Sequence, residues 1–270
     1  MRAKKSLGQH FLKSERALLS IIEVGKINET DTILEIGPGL GALTAKLLAS
    51  SCQVLAVEKD DKLYKKLQIK FQKEISSGQL RLVHNDILNF EPKSYNLEAN
   101  SYKLISNIPY NITGAILKKF LETEYQPKMM VLLVQKEVAE RITAGCRHRV
   151  STKESILSIS VKAYGNPKYI ETVKAGSFVP MPKVDSAIIA IENISKDFFI
   201  NAQIEEGLFF KILRAGFKSK RKKLSSNIST ICEPNRVKEV FKELNLDDNL
   251  RAEDISVEIW QKLTKNLYTK

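Results

Sequence analysis

Thr32-Ile-Leu-Glu-Ile36 runs directly into Gly37-Pro-Gly-Leu-Gly-Ala42, and an apolar helical stretch follows over residues 43–48. A short buried-type strand, a glycine-rich turn and a helix make a unit of parallel α/β sheets, and few other architectures use it. Glycines at 37, 39 and 41 let the backbone turn tightly and approach a ligand closely. The pattern Gly37-x-Gly39-x-x-Ala42 also fits the dinucleotide fingerprint formally, so on these residues alone a dinucleotide stays open. Two details weigh against a pyrophosphate. Glu35 stands just before the glycines, where a carboxylate repels phosphate but would help to organise a cationic amino-acid ligand, and Pro38 removes an N–H that a phosphate site would use.

Gln53-Val-Leu-Ala-Val-Glu58 reads as the next strand and ends in an acid 21 residues after Gly37, placed to take both hydroxyls of a ribose. Any adenosine cofactor would use it in that way. A helix is predicted from Asp60 to about Ile75, with Leu63, Leu67 and Phe71 on one face, and Leu80-Arg-Leu-Val-His84 is the third strand. Asp86, just beyond it, could accept from an adenine amino group or cap a turn.

Residues 102–105 read as a buried strand that delivers Ser106-Asn107-Ile108-Pro109-Tyr110-Asn111-Ile112 to its carboxyl end, where open α/β sheets bind ligands. These residue types suit the capture of an exocyclic amino group. Asn107 offers a side-chain carbonyl for one amino hydrogen. Pro109 biases Ile108 away from the helical region, which leaves the Ile108 carbonyl for the other hydrogen. Tyr110 offers a flat face on which an extruded base can stack. With both hydrogens engaged, the nitrogen lone pair is less delocalised and can attack an electrophile. The same types also make an ordinary turn after a strand, and it is the glycine loop and Glu58 upstream that favour the chemical reading.

Around this centre, residues 4–12 suit an arm that folds over a pocket, or a frayed basic tail, and a helix is predicted over 14–24 with Ser14 as its cap. Residues 115–121 continue as a helix, 129–134 as a fully buried strand and 136–144 as a helix, before an exposed basic loop at 145–152 that carries Arg147 and Arg149. Residues 156–163 and 186–191 look like further strands. Between them, the prolines of Phe178-Val-Pro-Met-Pro-Lys-Val-Asp185 stiffen a loop and hold Phe178 in a fixed place, as a core plug or a stacking platform. From about residue 195 the pattern is helical only, over 204–215, 236–244 and 256–267, which marks a small all-helical domain.

The net charge of +12 and a pI near 9.4 favour a polyanionic partner. No basic amphipathic helix with a bulky apolar face stands out, so nucleic acid suits that charge better than a membrane surface. The longest clean apolar run, residues 129–134, is far too short to span a bilayer. Cys52, Cys146 and Cys232 form no CxxC pair and read as free thiols of a reducing cytosol, and the three histidines show no ligand spacing.

In this order, Leu34-Glu-Ile-Gly-Pro-Gly-Leu-Gly41, Val57-Glu58, Asn85-Asp86 and Asn107-Ile-Pro-Tyr110 resemble the motifs of the S-adenosylmethionine-dependent ribosomal RNA adenine dimethyltransferases. Leu7-Gly-Gln-His-Phe-Leu12, Phe178-Val-Pro-Met-Pro-Lys-Val-Asp-Ser186 and Arg251-Ala-Glu-Asp-Ile-Ser256 look like the small-subunit (16S-type) branch, which dimethylates two adjacent adenines near the 3′ end of that RNA. The large-subunit (23S) relatives of the macrolide-resistance type share the tetrad and the cofactor loop, but Asp185-Ser-Ala187 and the lysine-rich 218–223 stretch look less like them. The resemblance implies an α/β fold: a Rossmann-like, seven-stranded, mostly parallel methyltransferase sheet in residues 1–194, and a small helical RNA-binding domain in 195–270. It implies S-adenosylmethionine as cofactor, no metal, a monomer in a cytoplasmic setting, and 16S rRNA within the small ribosomal subunit or its precursor as partner. His10, Leu12, Gly37, Gly39, Glu58, Asp86 and Asn107 would line the cofactor site. Asn107, Ile108, Pro109, Tyr110 and Phe178 would carry the transfer, with Tyr110 and Phe178 sandwiching the flipped adenine. A non-catalytic RNA-binding assembly factor on the same scaffold is the alternative of a different class. The intact set of Asn107, Pro109, Tyr110 and Glu58 favours the enzyme.

An adenine pocket cannot by itself select one adenosine among thousands, so the surrounding RNA must be read elsewhere. Lys211, Arg214, Lys218, Lys220, Arg221, Lys222 and Lys223 place seven cations in thirteen residues with no acid among them, whereas solvated charge runs usually alternate in sign. Neutralising Lys220, Arg221, Lys222 and Lys223 should weaken binding to small-subunit RNA and flatten its salt dependence, by about 0.7–0.9 in log–log slope for each phosphate no longer neutralised. Cofactor affinity should not change, and a parent-like slope would show that these cations do not touch RNA.

Overall fold

The computed structural model describes residues 9–145 and 153–268. The chain forms two compact units, one of Met1–Ala139 with Asn166–Ile194 and one of Glu140–Gly165 with Ser195–Lys270.

The first unit is built on strands β1 (Phe11–Leu12), β2 (Thr32–Ile36), β3 (Gln53–Glu58), β4 (Leu80–His84), β5 (Tyr102–Asn107), β6 (Met129–Gln135), β7 (Asn166–Val173), β8 (Phe178–Val179) and β9 (Ser186–Glu192). Seven of them form one sheet in the order β4-β3-β2-β5-β6-β9-β7. The first five of that order are parallel, and β9 runs antiparallel to both β6 and β7. The chain moves outward one way from β2 to β4, then restarts beside β2 at β5 and moves the other way. The cleft beyond the carboxyl ends of β2 and β5 is therefore the topological switch point, where such sheets bind ligands. The central strands are buried on both faces: Leu104, Ile105, Ser106 and Ile108, and Met130 to Val134, are at most 1% exposed. That accounts for their nearly unbroken apolar runs.

Helices cover the sheet where the apolar spacing places them. Ser14 caps Glu15–Gly25 by accepting from the Ala17 N–H. The long helix expected from residue 60 is interrupted at Phe71, giving Asp61–Lys70 and Gln72–Ser76. At the amino ends of the strands lies a buried charge cluster. Lys103 Nζ donates to the Gly25 and Lys26 carbonyls at 2.9 and 2.7 Å and to Asp31 Oδ2 at 2.6 Å, while Lys128 reaches Asp31 Oδ1 at 2.7 Å. All three ammonium protons of Lys103 are thus used. Burial pushes the Asp31 carboxyl up, but the two ammonium groups and the Asn28 N–H outweigh it and hold the carboxyl below its ordinary value.

Two expectations are corrected. Residues 156–163 are not a strand: Ile156–Lys162 is a helix, because Ser155 and Ser158 make a reciprocal capping box that starts a helical turn. The strand belongs instead to Asn166–Val173, whose Pro167 and mixed composition hid it; β7 is a sheet edge, where proline is tolerated. The compact units also differ from a division at 194/195, since Glu140–Gly165 groups with the C-terminal helices.

That second unit packs Asp197–Ala202, Glu206–Gly216, Leu224–Ile228, Pro234–Glu243 and Val257–Tyr268 around Phe209, Leu213, Val240, Phe241 and Trp260, each at most 1% exposed. Within it Tyr164 donates to Glu206 Oε1 at 2.5 Å and its ring lies against Phe199 and Phe210.

Lys103→Met should destabilise the first unit by about 3–5 kcal/mol, the typical result of breaking a buried pair from one side. Urea unfolding at neutral pH tests this. Because Asp31 titrates below its unfolded value, its contribution is present above the unfolded pKa and is lost as pH falls through the folded one. The gap between parent and variant should therefore narrow in acid, and a loss below about 1 kcal/mol at neutral pH would mean that the cluster is dispensable.

Candidate active site

The site begins where β2 and β5 stop pairing. Their last paired residues are Leu34 and Leu104, and beyond them the strands part. Ser106 bridges the parting: its hydroxyl donates to the Ile36 carbonyl at 2.5 Å and accepts from the Ile36 N–H at 3.3 Å, fully buried. One side chain thus ties the entrance of the glycine loop to the entrance of the 107–110 segment. The loop is closed by Gly37 N–H to the Val57 carbonyl and Gly41 N–H to the Pro38 carbonyl, both at 2.8 Å. Gly41 has φ +73°, and a Cβ there would lie 2.5 Å from the Phe71 ring, so no other residue fits. A Cβ on Gly39 would lie 3.0 Å from the ring of Phe11, because the arm at 9–12 crosses the loop and pairs β1 with β8.

Three acids surround the loop, each in a different state. Glu35 is 2% exposed, and its Oε2 accepts from the Thr44 hydroxyl at 2.7 Å. Burial pushes it up to about 8 in spite of that bond, and the neighbouring Glu58 adds to the rise. Glu58 is 5% exposed and accepts one N–H on each oxygen, from Asp60 at 2.8 Å and Gly39 at 3.1 Å. Its pKa is raised by burial against those two bonds, and a lone pair remains on each oxygen for a pair of hydroxyls. Asp86 is a cap: Oδ1 accepts from the Leu88 N–H at 3.0 Å, and Oδ2 meets Lys59 Nζ at 2.7 Å, which holds the carboxyl below its usual range. It lines the pocket all the same, together with Asn85.

The Asn107 Nδ2 donates to the His10 carbonyl at 3.1 Å, which fixes the amide and leaves Oδ1 as the acceptor without a donor among the described residues. No described group donates to the Ile108 carbonyl either, since Pro109 (φ −61°, ψ 130°) starts a short 3-10 turn that leaves it out. The Tyr110 hydroxyl lies 2.6 Å from Ser186 Oγ, and the His10 ring stacks against Tyr110 with centroids 5.6 Å apart. His10 Nδ1 in turn bonds the Pro180 carbonyl at 2.8 Å. His10, Leu12, Gly37, Gly39, Glu58, Asp86, Asn107, Ile108, Pro109 and Tyr110 all line one pocket, along with Gln9 and Leu63.

Phe178 does not join them. Its ring is 2% exposed and packed in the hydrophobic core with Leu12, Leu18 and Ile188, while its backbone pairs with Leu12. The expected second wall of an adenine sandwich is thus a core plug, because β8 turns its apolar residue inward under the arm. Ser106, Thr44 and Ser186 shape the site; Ser106 and Ser186 stand within the motifs quoted above, but no role for any of the three is read from the sequence. A small polar residue inside an otherwise apolar stretch was their one visible signal.

In the second unit, Lys218, Lys220, Arg221, Lys222 and Lys223 lie in the turn between Glu206–Gly216 and Leu224–Ile228, and all five are exposed, while Phe217 and Ser219 between them are half-buried. None of the five pairs with an acid among the described residues. Asn227 braces this turn by donating to the Gly216 and Ser219 carbonyls at 2.7 and 3.0 Å. Arg147 and Arg149 lie outside the described residues. No described helix is long and apolar enough to cross a membrane.

Residues 1–269 match the family model described as Ribosomal RNA adenine dimethylase. A protein of Dehalococcoides mccartyi (strain CBDB1) named Ribosomal RNA small subunit methyltransferase A is 41% identical over 266 residues, covering 97% of this chain and 88% of that protein. A protein of the same name from Fusobacterium nucleatum is 37% identical over 264 residues, covering 97% and 96%. Among solved structures, a dimethyladenosine transferase from Plasmodium falciparum superposes with a TM-score of 0.77 at 26% identity, covering 94% of this chain and 96% of that one. The 23S rRNA methyltransferase ErmE superposes with a TM-score of 0.74 at 23% identity, covering 96% and 100%, a likeness of fold.

The state of Glu35 makes a pH prediction. Its folded pKa is raised, so between 4.5 and about 8 the folded protein binds more protons than the unfolded chain, and the stability that the neutral acid gives is lost as pH rises. The slope for one proton is about 1.4 kcal/mol per pH unit. Glu35→Gln keeps an acceptor for Thr44 and removes the titration. Urea unfolding at about pH 5.5, 7 and 8.5 should therefore show the variant gaining on the parent as pH rises. A constant difference would mean that Glu35 stays charged throughout.

Proposed function

The chain belongs to the ribosomal RNA adenine dimethylase family, and on that premise we propose that it dimethylates N6 of two adjacent adenosines near the 3′ end of 16S rRNA, using S-adenosylmethionine. The observation that carries the chemistry is that Asn107 Oδ1 and the Ile108 carbonyl, on adjacent residues that line the pocket with the glycine loop, meet no donor among the described residues.

The residues present suit the cofactor. Glu58 keeps two lone pairs for the ribose hydroxyls, Asp86 would meet an adenine amino group, and the buried Glu35, neutral by itself, would take up its charge beside a cationic amino acid. His10, Leu12, Gly37 and Gly39 would complete its walls. Bound there, S-adenosylmethionine supplies an electrophilic methyl group on a sulfonium. Asn107 and Ile108 would accept the two amino hydrogens of the target adenine, which turns its nitrogen lone pair toward the methyl. Tyr110 would stack on the base; Phe178 is assigned no part in that. Rate enhancement comes from alignment and preorganised acceptors, without a dedicated base. A second round fits the same site, because N6-methyladenine retains one hydrogen and either acceptor can take it.

The substrate would be 16S rRNA within the small ribosomal subunit or its precursor, met by a monomer in the cytoplasm. The helical domain at 195–270 would bind RNA phosphates through Lys218, Lys220, Arg221, Lys222 and Lys223, with Arg147 and Arg149 contributing.

Asn107→Ala should lower kcat by about 100- to 1000-fold, as removal of one preorganised polar group typically does, with RNA affinity nearly unchanged. Glu58→Ala should abolish cofactor binding measured by calorimetry, since each hydrogen bond to a charged group is worth about 1.5–3 kcal/mol. Near-normal methylation by Asn107→Ala would reduce the 107–110 segment to a turn, and cofactor affinity within about twofold of the parent in Glu58→Ala would move the ribose elsewhere.

A further inference from the structure

The stretch Val184-Asp185-Ser186 has no part in the mechanism above, yet the fold ties it to the centre of the site. The Tyr110 hydroxyl lies 2.6 Å from Ser186 Oγ, across 76 residues of sequence. Ser186 is fully buried at the first position of β9, with backbone partners on both sides, Gln135 on β6 and Val173 on β7. The residue before it is pinned as well. The Asp185 carboxylate accepts from the Ala175 N–H at 3.0 Å and from Lys174 Nζ at 2.9 Å, and its carbonyl accepts from the Lys136 N–H at 3.0 Å. Ser186 Oγ is therefore carried by a backbone held on both sides, and a single side-chain torsion is its only freedom.

Tyr110 is less firmly framed: its backbone leaves the sheet, and the His10 ring stacks on one of its faces with centroids 5.6 Å apart. It opens a 3-10 turn of three residues just past the end of β5, and its ring could rotate about the Cα–Cβ bond. The bond to Ser186 fixes the far end of that ring. The strand does not need the hydroxyl, since Ala187 to Ile191 show that small and apolar residues fill β9 without exposure. A buried hydroxyl is unfavourable unless it is bonded, so its place here is accounted for by the phenol.

We propose that Ser186 is a positioning residue that acts through Tyr110: its hydroxyl holds the aromatic ring in the orientation on which the target adenine stacks. The proposal rests on the reading that Tyr110 is the stacking surface. The phenol oxygen is committed to Ser186 and one ring face to His10, which leaves the opposite face as the part of Tyr110 that meets the base. Ser186 touches neither base nor cofactor, so its loss shows in turnover through ring orientation.

The test is a double-mutant cycle on the full chain, with kcat and KM for small-subunit RNA particles measured for the parent, Ser186→Ala, Tyr110→Phe, the double variant and Tyr110→Ala, and thermal melts alongside. Ser186→Ala and Tyr110→Phe should each lower kcat by about 3- to 10-fold, the scale of one neutral hydrogen bond, with KM for RNA within about twofold of the parent. The double variant should be no worse than about twofold below either single one, because both remove the same bond. A purely structural serine would lower kcat by the same factor in the Tyr110→Phe background, and that result, or parent-like kcat in either single variant, overturns the proposal. Should Ser186→Ala not fold, Tyr110→Phe decides alone by the same kcat criterion. Parent-like turnover in Tyr110→Ala would overturn the stacking reading itself, whereas an impaired Tyr110→Ala with independent single effects would overturn only the role of Ser186.

Discussion

The site depends on a single hydroxyl at the switch point of the sheet. β2 and β5 are neighbours, yet they pair only as far as Leu34 and Leu104, and their continuing chains must part to make a cleft. Parting strands lose ladder bonds, and a buried backbone group without a partner is costly. Ser106 resolves this by giving the Ile36 N–H an acceptor and the Ile36 carbonyl a donor. The glycine loop and the 107–110 segment then leave the sheet from positions fixed relative to each other. The glycine loop that follows Ile36 and the acceptors that follow Ser106 take their relative placement from that clasp.

Charge is handled differently at the two ends of the sheet. At the amino ends, Asp31 is buried but saturated by two ammonium groups and a backbone N–H, and it stays ionised below its ordinary pKa. At the carboxyl ends, Glu35 and Glu58 are buried with no ion pair among the described residues, and both rise. An acid held in that state favours a cationic ligand, because such a ligand restores the charged form that burial opposes. The first arrangement fixes the scaffold; the second leaves acids that ionise when a cationic ligand is beside them, which suits an amino-acid cofactor with a sulfonium.

Much of this was legible in the chain. The strand-to-glycine-turn unit and the acid ending β3 announced the sheet and one side of its pocket, because parallel strands buried on both faces leave unbroken apolar runs. The residues of the 107–110 segment could be assigned chemistry from their types alone. What stayed hidden depended on neighbours distant in sequence. Phe178 reads as a platform or a plug until the pairing of β1 with β8 turns it inward. Residues 156–162 alternate well enough to pass for a strand, and only the reciprocal bonds of Ser155 and Ser158 make them a helix. Pro167 disguised an edge strand. Ser106 and Ser186 stand within recognisable motifs, but their bonds to Ile36 and Tyr110 were not legible, since a serine in an apolar strand announces a partner without naming it.

The central claim is that two unengaged carbonyl acceptors and a buried ribose acid at one switch point add up to adenine dimethylation on small-subunit RNA. The most direct measurement is to incubate the purified protein with S-adenosylmethionine and unmodified small ribosomal subunits, digest the RNA, and identify the nucleosides by mass spectrometry, with primer extension to place them. The account predicts N6,N6-dimethyladenosine at two adjacent positions near the 3′ end, absent when S-adenosylmethionine is withheld. Unmodified adenosine throughout, or methylation that appears only when large-subunit RNA is supplied, would contradict it.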